Sequence, residues 1–375
     1  MPETVDVLII GGGIAGISLA ARLAGRASVA VVEAEEHLGT HATGRSAALL
    51  VEAYGPPAIR RLTGMSRPFF QNPPDGFSDA PLSAPRGALT YTGPDQLTRL
   101  RREFELARAT TEVEWLDERQ VLESCPLLKP GVAAAGFLEP GALDLDVNAL
   151  LQGFAPLAQR NGARIYKGAP TQRIERQESG WVVTADREIA CAVVVNAAGA
   201  WADAIAELAG VARSGLQPMR RTAATIAVPP ELAEVTSRLP LVAPADESFY
   251  FKPDARALMV SLSEETPTDP CDAFPDDLDV AVALDRFHTV TIVPPVRPTA
   301  TWAGLRTFAP DRVPVVGFDP DVPGFFWYAG QGGYGIQTTP ALSQLAAKLI
   351  FRDPLDDAET EIAALIRPAR VAQNG

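Results

Sequence analysis

An apolar run at residues 7–10 ends in Gly-x-Gly-x-x-Gly at Gly11, Gly13 and Gly16, and a second apolar run at residues 29–32 ends in Glu33. The first run has the length and β-branched content of a buried parallel strand, and residues 14–23 carry apolar side chains at helical spacing. The glycines therefore fall on a strand-to-helix turn. Gly11 permits the tight turn, Gly13 lets backbone approach a pyrophosphate, and Gly16 lets the helix lie close on the strand, with the phosphates at the helix N-terminus. Glu33 stands where a carboxylate accepts from an adenosine ribose hydroxyl. A lone glycine motif is weak, but strand, turn, helix, strand and terminal acid in this order point to a dinucleotide site.

The 375 residues suffice for two or three domain-sized units, and 47% hydrophobic with 21% charged residues is ordinary for a globular chain. Lys and Arg number 33 against 46 Asp and Glu, a formal charge of −13 that argues against nucleic acid or an anionic membrane as partner. Cys125, Cys191 and Cys271 are odd in number and far apart, so neither a disulfide framework nor a metal cluster is expected. The histidines, His37, His41 and His288, show no metal-ligand spacing. Asp6 interrupts the first apolar stretch and no basic segment precedes it, which argues against a signal peptide. No other segment approaches the roughly 20 apolar residues of a membrane helix. The expectation is a soluble, cytoplasmic protein, with peripheral contact to a membrane-borne electron carrier left open.

The pairs Pro56-Pro57, Pro73-Pro74, Pro229-Pro230 and Pro294-Pro295 read as loops and domain crossings. Helices are expected at 97–109, at 117–122 and at 147–159, the last with Asp146 as N-cap. Residues 164–167 and 181–185 read as a hairpin-like pair, followed by a strand at 192–195 and the small-residue turn NAAGAW. Such a turn suits either close approach of a ligand or tight helix packing, and the sequence does not choose between them. Short strands at 224–228, 248–252, 257–262 and 290–293, with a helix at 278–287, suggest an antiparallel sheet with a covering helix. An aromatic strand at 324–328, the glycine-rich 331–335 and a helix at 336–350 then return to the first style, as a second candidate cofactor contact.

The chain resembles the D-amino-acid oxidase superfamily of FAD-dependent oxidoreductases, and within it the bacterial FAD-dependent D-arginine dehydrogenases. The resemblance rests on VLIIGGGIAG, HATGRSAALLVEAYG from His41, NAAGAWADAIAELAG from Asn196, GLQPMRR from Gly215, DESFYFKPD from Asp246, TWAGLR from Thr301 and GQGGYGIQT from Gly330. It implies an α/β fold in which a Rossmann-type FAD domain (1–86, 142–220 and 300–375) joins a substrate domain on an antiparallel sheet (87–141 and 221–299). FAD, held without a covalent link, would lie extended, its flavin between the two. Besides the glycines already named, Ile14, Ala15, Glu33 and Ala34 would line the ADP half. Ala42, Thr43, Gly44, Arg45, Ser46, Ala47, Ala48 and Leu49 would wrap the pyrophosphate and flavin, and Thr171 would hold the adenine. Gly332, Gly333, Tyr334, Gly335, Ile336, Gln337 and Thr338 would meet the flavin pyrimidine edge, with negative charge there facing a helix N-terminus.

For the substrate, the resemblance places Arg221 and Arg306 at the carboxylate, where a planar guanidinium grips bidentately. Tyr54 and Tyr250 stand near the same group, and the Gly333 carbonyl orients the amine. One departure bears on specificity: the glutamate that receives a cationic side chain in D-arginine dehydrogenases is Ala88 in LSAPRGALT, and a histidine after GRSAA is Leu49. A guanidinium buried against Ala and Leu would go unpaired. Apolar or small side chains are therefore expected. The implied chemistry is hydride transfer from the α-carbon to flavin N5, giving an imino acid that hydrolyses to a 2-oxo acid, with no dedicated side-chain base. The electron acceptor, whether quinone, dye-like carrier or oxygen, is left open. The alternatives are glycine, sarcosine or a cyclic imino acid as substrate, and a flavin-binding subunit without turnover.

Overall fold

The computed structural model describes residues 3–371. The first apolar run extends back to form the strand Glu3–Ile10, which is flanked in parallel by Val29–Val32 on one side and Glu188–Asn196 on the other. Arg164–Tyr166 extends this parallel sheet beyond Val29–Val32, and Phe325–Ala329 extends it beyond Glu188–Asn196. Val315–Phe318 closes that edge antiparallel. Strands buried on both faces read as continuous apolar runs, which is why VLII, VAVV and FFWYA stand out. The helices Ile14–Leu23, Val147–Arg160 and Gly335–Phe351 share one apolar core with that sheet.

The second sheet runs in the order Thr266–Pro267, Gln217–Ala227, Ala257–Ser261, Tyr250–Asp254, Leu241–Pro244, Ala88–Thr92, Ala135–Glu139, Glu114–Asp117, with Pro298–Phe308 also paired to Gln217–Ala227. It is antiparallel except for the parallel pair of Leu241–Pro244 with Ala88–Thr92. A small sheet of Leu49–Leu50, Leu143–Leu145 and Ser83–Pro85 lies where the chain crosses between the two. The strands Gln217–Ala227 and Pro298–Phe308 belong whole to the second sheet, so the crossings expected at 220/221 and 299/300 fall inside them.

Three local expectations are corrected. Residues 164–167 and 181–185 do not pair: Gly180–Thr184 forms its hairpin with Arg173–Gln177, a strand whose single buried residue, Ile174, hides it from an apolar reading. Pro56-Pro57 is not a loop, because Pro57 starts the helix Pro57–Gln71, where proline's missing N–H costs nothing. Residues 290–293 are not a strand. The helix Asp277–Val290 runs on to Val290, and the Thr291 hydroxyl and N–H both close it by donating to the Phe287 carbonyl.

Candidate active site

The glycine turn is as tight as its sequence requires. Gly11 has φ +113°, and a Cβ on it would come 2.4 Å from the Ala197 carbonyl oxygen; one on Gly16 would come 2.0 Å from that of Gly11. The helix Ile14–Leu23 has no capping side chain at Gly13, and its Ile14 N–H donates instead to Thr43 Oγ1 at 3.0 Å. Glu33 holds the turn from below, accepting from the Gly12 N–H at 2.6 Å and the Glu35 N–H at 2.8 Å.

These groups open into a cavity of about 490 Å³. Gly11, Gly13, Ile14, Ala15, Glu33, Ala34, Ala42, Thr43, Arg45, Thr171, Gly332 and Gly335 all line it. So do Ala197 to Trp201, so the small-residue turn faces the cavity and, through Ala197, also packs on Gly11. Sequence reasoning missed Pro170, Trp201 and Trp302 in this wall, although NAAGAW and TWAGLR carry both tryptophans. Gly16 and Gly44 lie outside the wall: Gly16 packs on Gly11, and the Gly44 N–H closes a turn on the Gly39 carbonyl at 2.7 Å. Tyr334 and Thr338 also stand behind it, Tyr334 against Tyr54 and Thr338 bonded to the Tyr334 carbonyl. His41 lines the cavity, with Nε2 2.9 Å from Glu35 Oε1 and its ring on Trp201.

A second chamber of about 180 Å³ adjoins the first. Ser46, Ala47, Arg221, Tyr250, Arg306, Gly333 and Ile336 line both, which makes them the junction. Arg221 and Arg306 arrive there by sheet register. Arg221 pairs with Gly304 and Met219 with Arg306 on antiparallel neighbours, so the period of two points both guanidinia to one face. The turn at 331–333 is stitched to the same strand, the Gly332 N–H donating to the Thr307 carbonyl at 2.8 Å. The bare Gly333 lets the Arg306 guanidinium lie against it.

The electrostatics at the junction are those of an anion site. Arg221 is buried; its Nε donates to the Glu264 carbonyl at 2.7 Å, and a terminal nitrogen lies 3.5 Å from Glu265 Oε1. Burial first, and the neighbouring Arg306 second, push its proton affinity down. Among the described residues no carboxylate pairs with Arg306. Tyr54 and Tyr250 face both cations.

Away from the junction the chamber is walled by Leu49, Val51, Ala53, Ala88, Leu89, Phe137, Leu241, Ala243, Pro244, Ala245 and Phe249, with Tyr54, Ala48 and Gln337 also lining it. Glu103 and Glu247 are its acidic members, and neither was anticipated. Among the described residues no cluster of His, Cys, Asp and Glu is placed to hold a metal, and no helix is long and apolar enough to cross a membrane.

The family described as FAD dependent oxidoreductase (DAO) matches residues 6–349. The chain belongs to this family. Its cofactor is therefore FAD, and the uncapped helix, the crowded glycines and Glu33 fit the dinucleotide half of that group. Among its relatives, this FAD-dependent oxidoreductase is 25% identical to the hydrogen cyanide synthase subunit HcnC of Pseudomonas aeruginosa, with 99% of each chain covered. It is 24% identical to the glycine oxidase of Geobacillus kaustophilus, with 94% of each covered. In fold it is similar to the L-proline dehydrogenase from P. horikoshii, with a TM-score of 0.86 at 20% identity, covering 100% of this chain and 99% of that one.

Proposed function

We propose that this FAD-dependent oxidoreductase oxidises the CH–N bond of D-amino acids with apolar or small side chains. One observation carries the reading: a pair of guanidinia and two phenols converge where the cofactor cavity opens into a chamber walled mainly by apolar side chains, with Glu103 and Glu247 as its acidic members. Arg306, unpaired by any carboxylate, takes the substrate carboxylate bidentately, and Arg221 supports it from the neighbouring strand. Tyr54 and Tyr250 donate to the same carboxylate, and the Gly333 carbonyl accepts from the amine. Bound FAD supplies the two-electron acceptor for the hydrogen that leaves the α-carbon. The apolar walls exclude water around the side chain and orient the α-carbon through the fixed carboxylate. The junction residues include no side-chain base, so the amine must react uncharged. The product imino acid hydrolyses to a 2-oxo acid and ammonia.

A second reading, oxidation of glycine or sarcosine, draws on the similarity to a glycine oxidase. Glycine would leave the apolar chamber without an occupant, whereas a leucine or phenylalanine side chain would fill it. Steady-state kcat/KM for D-leucine, D-methionine and D-phenylalanine, their L enantiomers, D-arginine, glycine and sarcosine separates these. The expected order puts the apolar D-amino acids first. D-arginine, glycine or an L enantiomer at the head of that order would contradict the proposal.

A further inference from the structure

Residues 51–54 carry Tyr54 to the chamber without belonging to any helix or strand, yet three successive backbone N–H groups there are each held by a side chain. The Val51 N–H donates to Gln337 Oε1 at 3.2 Å, the Glu52 N–H to Glu139 Oε1 at 2.8 Å and the Ala53 N–H to Glu139 Oε2 at 3.0 Å. Gln337 is fixed in turn by donating to Thr63 Oγ1 at 2.9 Å. Glu139 ends the strand Ala135–Glu139 of the second sheet and is fully buried. It does not line the chamber, whereas Val51, Ala53 and Tyr54 do.

We propose that Glu139 is a positioning residue for substrate binding, pinning the segment 51–54 so that Tyr54 is presented to the chamber. The inference rests on the reading of Tyr54 as a substrate contact. An ionised carboxylate accepts both N–H groups; a protonated one turns an oxygen into a donor and gives up part of that grip. The charged groups facing Glu139 are Glu52, on the pinned segment, and Arg67, on the helix Pro57–Gln71. Arg67 pairs with Glu52 through Nε and donates to the Gly141 carbonyl at 2.9 Å. Burial, opposed by the two N–H bonds, pushes the Glu139 carboxyl up to about 7. The pin therefore tightens as pH rises through neutrality and loosens as pH falls.

The test compares the wild-type holoenzyme with Glu139→Gln, whose amide can accept only one of the two N–H groups. Hydrogen exchange of a peptide spanning 51–54 and the KM and kcat for D-leucine are measured from about pH 5.5 to about pH 9. Expected is weaker protection in Glu139→Gln at alkaline pH and equal protection at acid pH. The KM ratio of variant to wild type should be about tenfold at high pH, the worth of one hydrogen bond to a charged group, and fall to unity at low pH with kcat little changed. A merely structural lesion would give a ratio independent of pH, and that result, or equal protection at every pH, overturns the proposal. Tyr54→Phe is run alongside. If its KM matches the wild type while the exchange difference stands, the substrate reading of Tyr54 fails and the pin does not. Should Glu139→Gln not fold, Arg67→Gln serves, since removing that cation must move the inflection in KM to higher pH; an unmoved inflection is the contrary result.

Discussion

Among the described residues no carboxylate forms an ion pair with Arg306, and a cation so placed in a confined site calls for an anion from outside. Arg306→Lys keeps the charge but replaces a two-pronged grip by a point donor. Its kcat/KM should fall by about ten- to a hundredfold, through KM, in steady-state assays. An unchanged KM would remove Arg306 from the carboxylate site. Glu139 makes a separate prediction about stability. Its carboxyl titrates at about 7 in the folded protein, above the ordinary glutamate range, so the native state holds the proton after the unfolded chain has released it. The contribution to stability is full below the ordinary glutamate value and is lost as pH rises through about 7. Relative to Glu139→Gln, the wild type should lose about 3 kcal/mol over that window. Urea unfolding of both proteins at about pH 5 and about pH 8 checks it, and a gap independent of pH would contradict the assignment. The variant is thus expected to gain relative stability at the pH where it binds substrate worse.

Helices with a chemical signature at their start could be read from the sequence. Asp146 caps Val147–Arg160 by accepting from the Ala149 N–H at 2.7 Å, and Asp117 makes a reciprocal capping box with Gln120. Asp146→Ala should cost about 1 kcal/mol by denaturant unfolding, with FAD content unchanged. The first strand–turn–helix depends on closeness instead: a Cβ at Gly16 meets the Gly11 carbonyl oxygen at 2.0 Å, so helix and strand must part. Gly16→Ala should therefore purify with little flavin per chain, and full flavin content would show that the turn tolerates the methyl group. Elements whose signal lies in a partner were not legible. Arg173–Gln177 is polar and acquires its strand character from Gly180–Thr184. Pro298–Phe308 has all of its first five residues partly or fully exposed and is held by its pairing to Gln217–Ala227. The site divides in the same way. The residues lining the dinucleotide cavity lie mostly on contiguous motifs, whereas Phe137, Leu241, Phe249 and Glu103 reach the chamber from separate strands, a loop and a helix. Glu139 was invisible because its partners are backbone N–H groups, which carry no residue-type signal.

The whole molecule places two sheets so that a dinucleotide cavity built on one opens into an apolar chamber built largely on the other, with Arg221 and Arg306 at the meeting point. Neither sheet alone contains both the dinucleotide cavity and the guanidinium pair. The arrangement predicts that electrons enter the flavin only from a carboxylate-bearing amine, and best from one whose side chain fills the chamber. The most direct measurement is an anaerobic titration of the flavin-loaded protein with D-leucine, D-phenylalanine, their L enantiomers, D-arginine, glycine and sarcosine, following loss of the visible flavin absorbance. The account predicts that the apolar D-amino acids bleach the flavin fully and fastest. Bleaching led by an L enantiomer, glycine, sarcosine or D-arginine, or none by any amino acid, would contradict it.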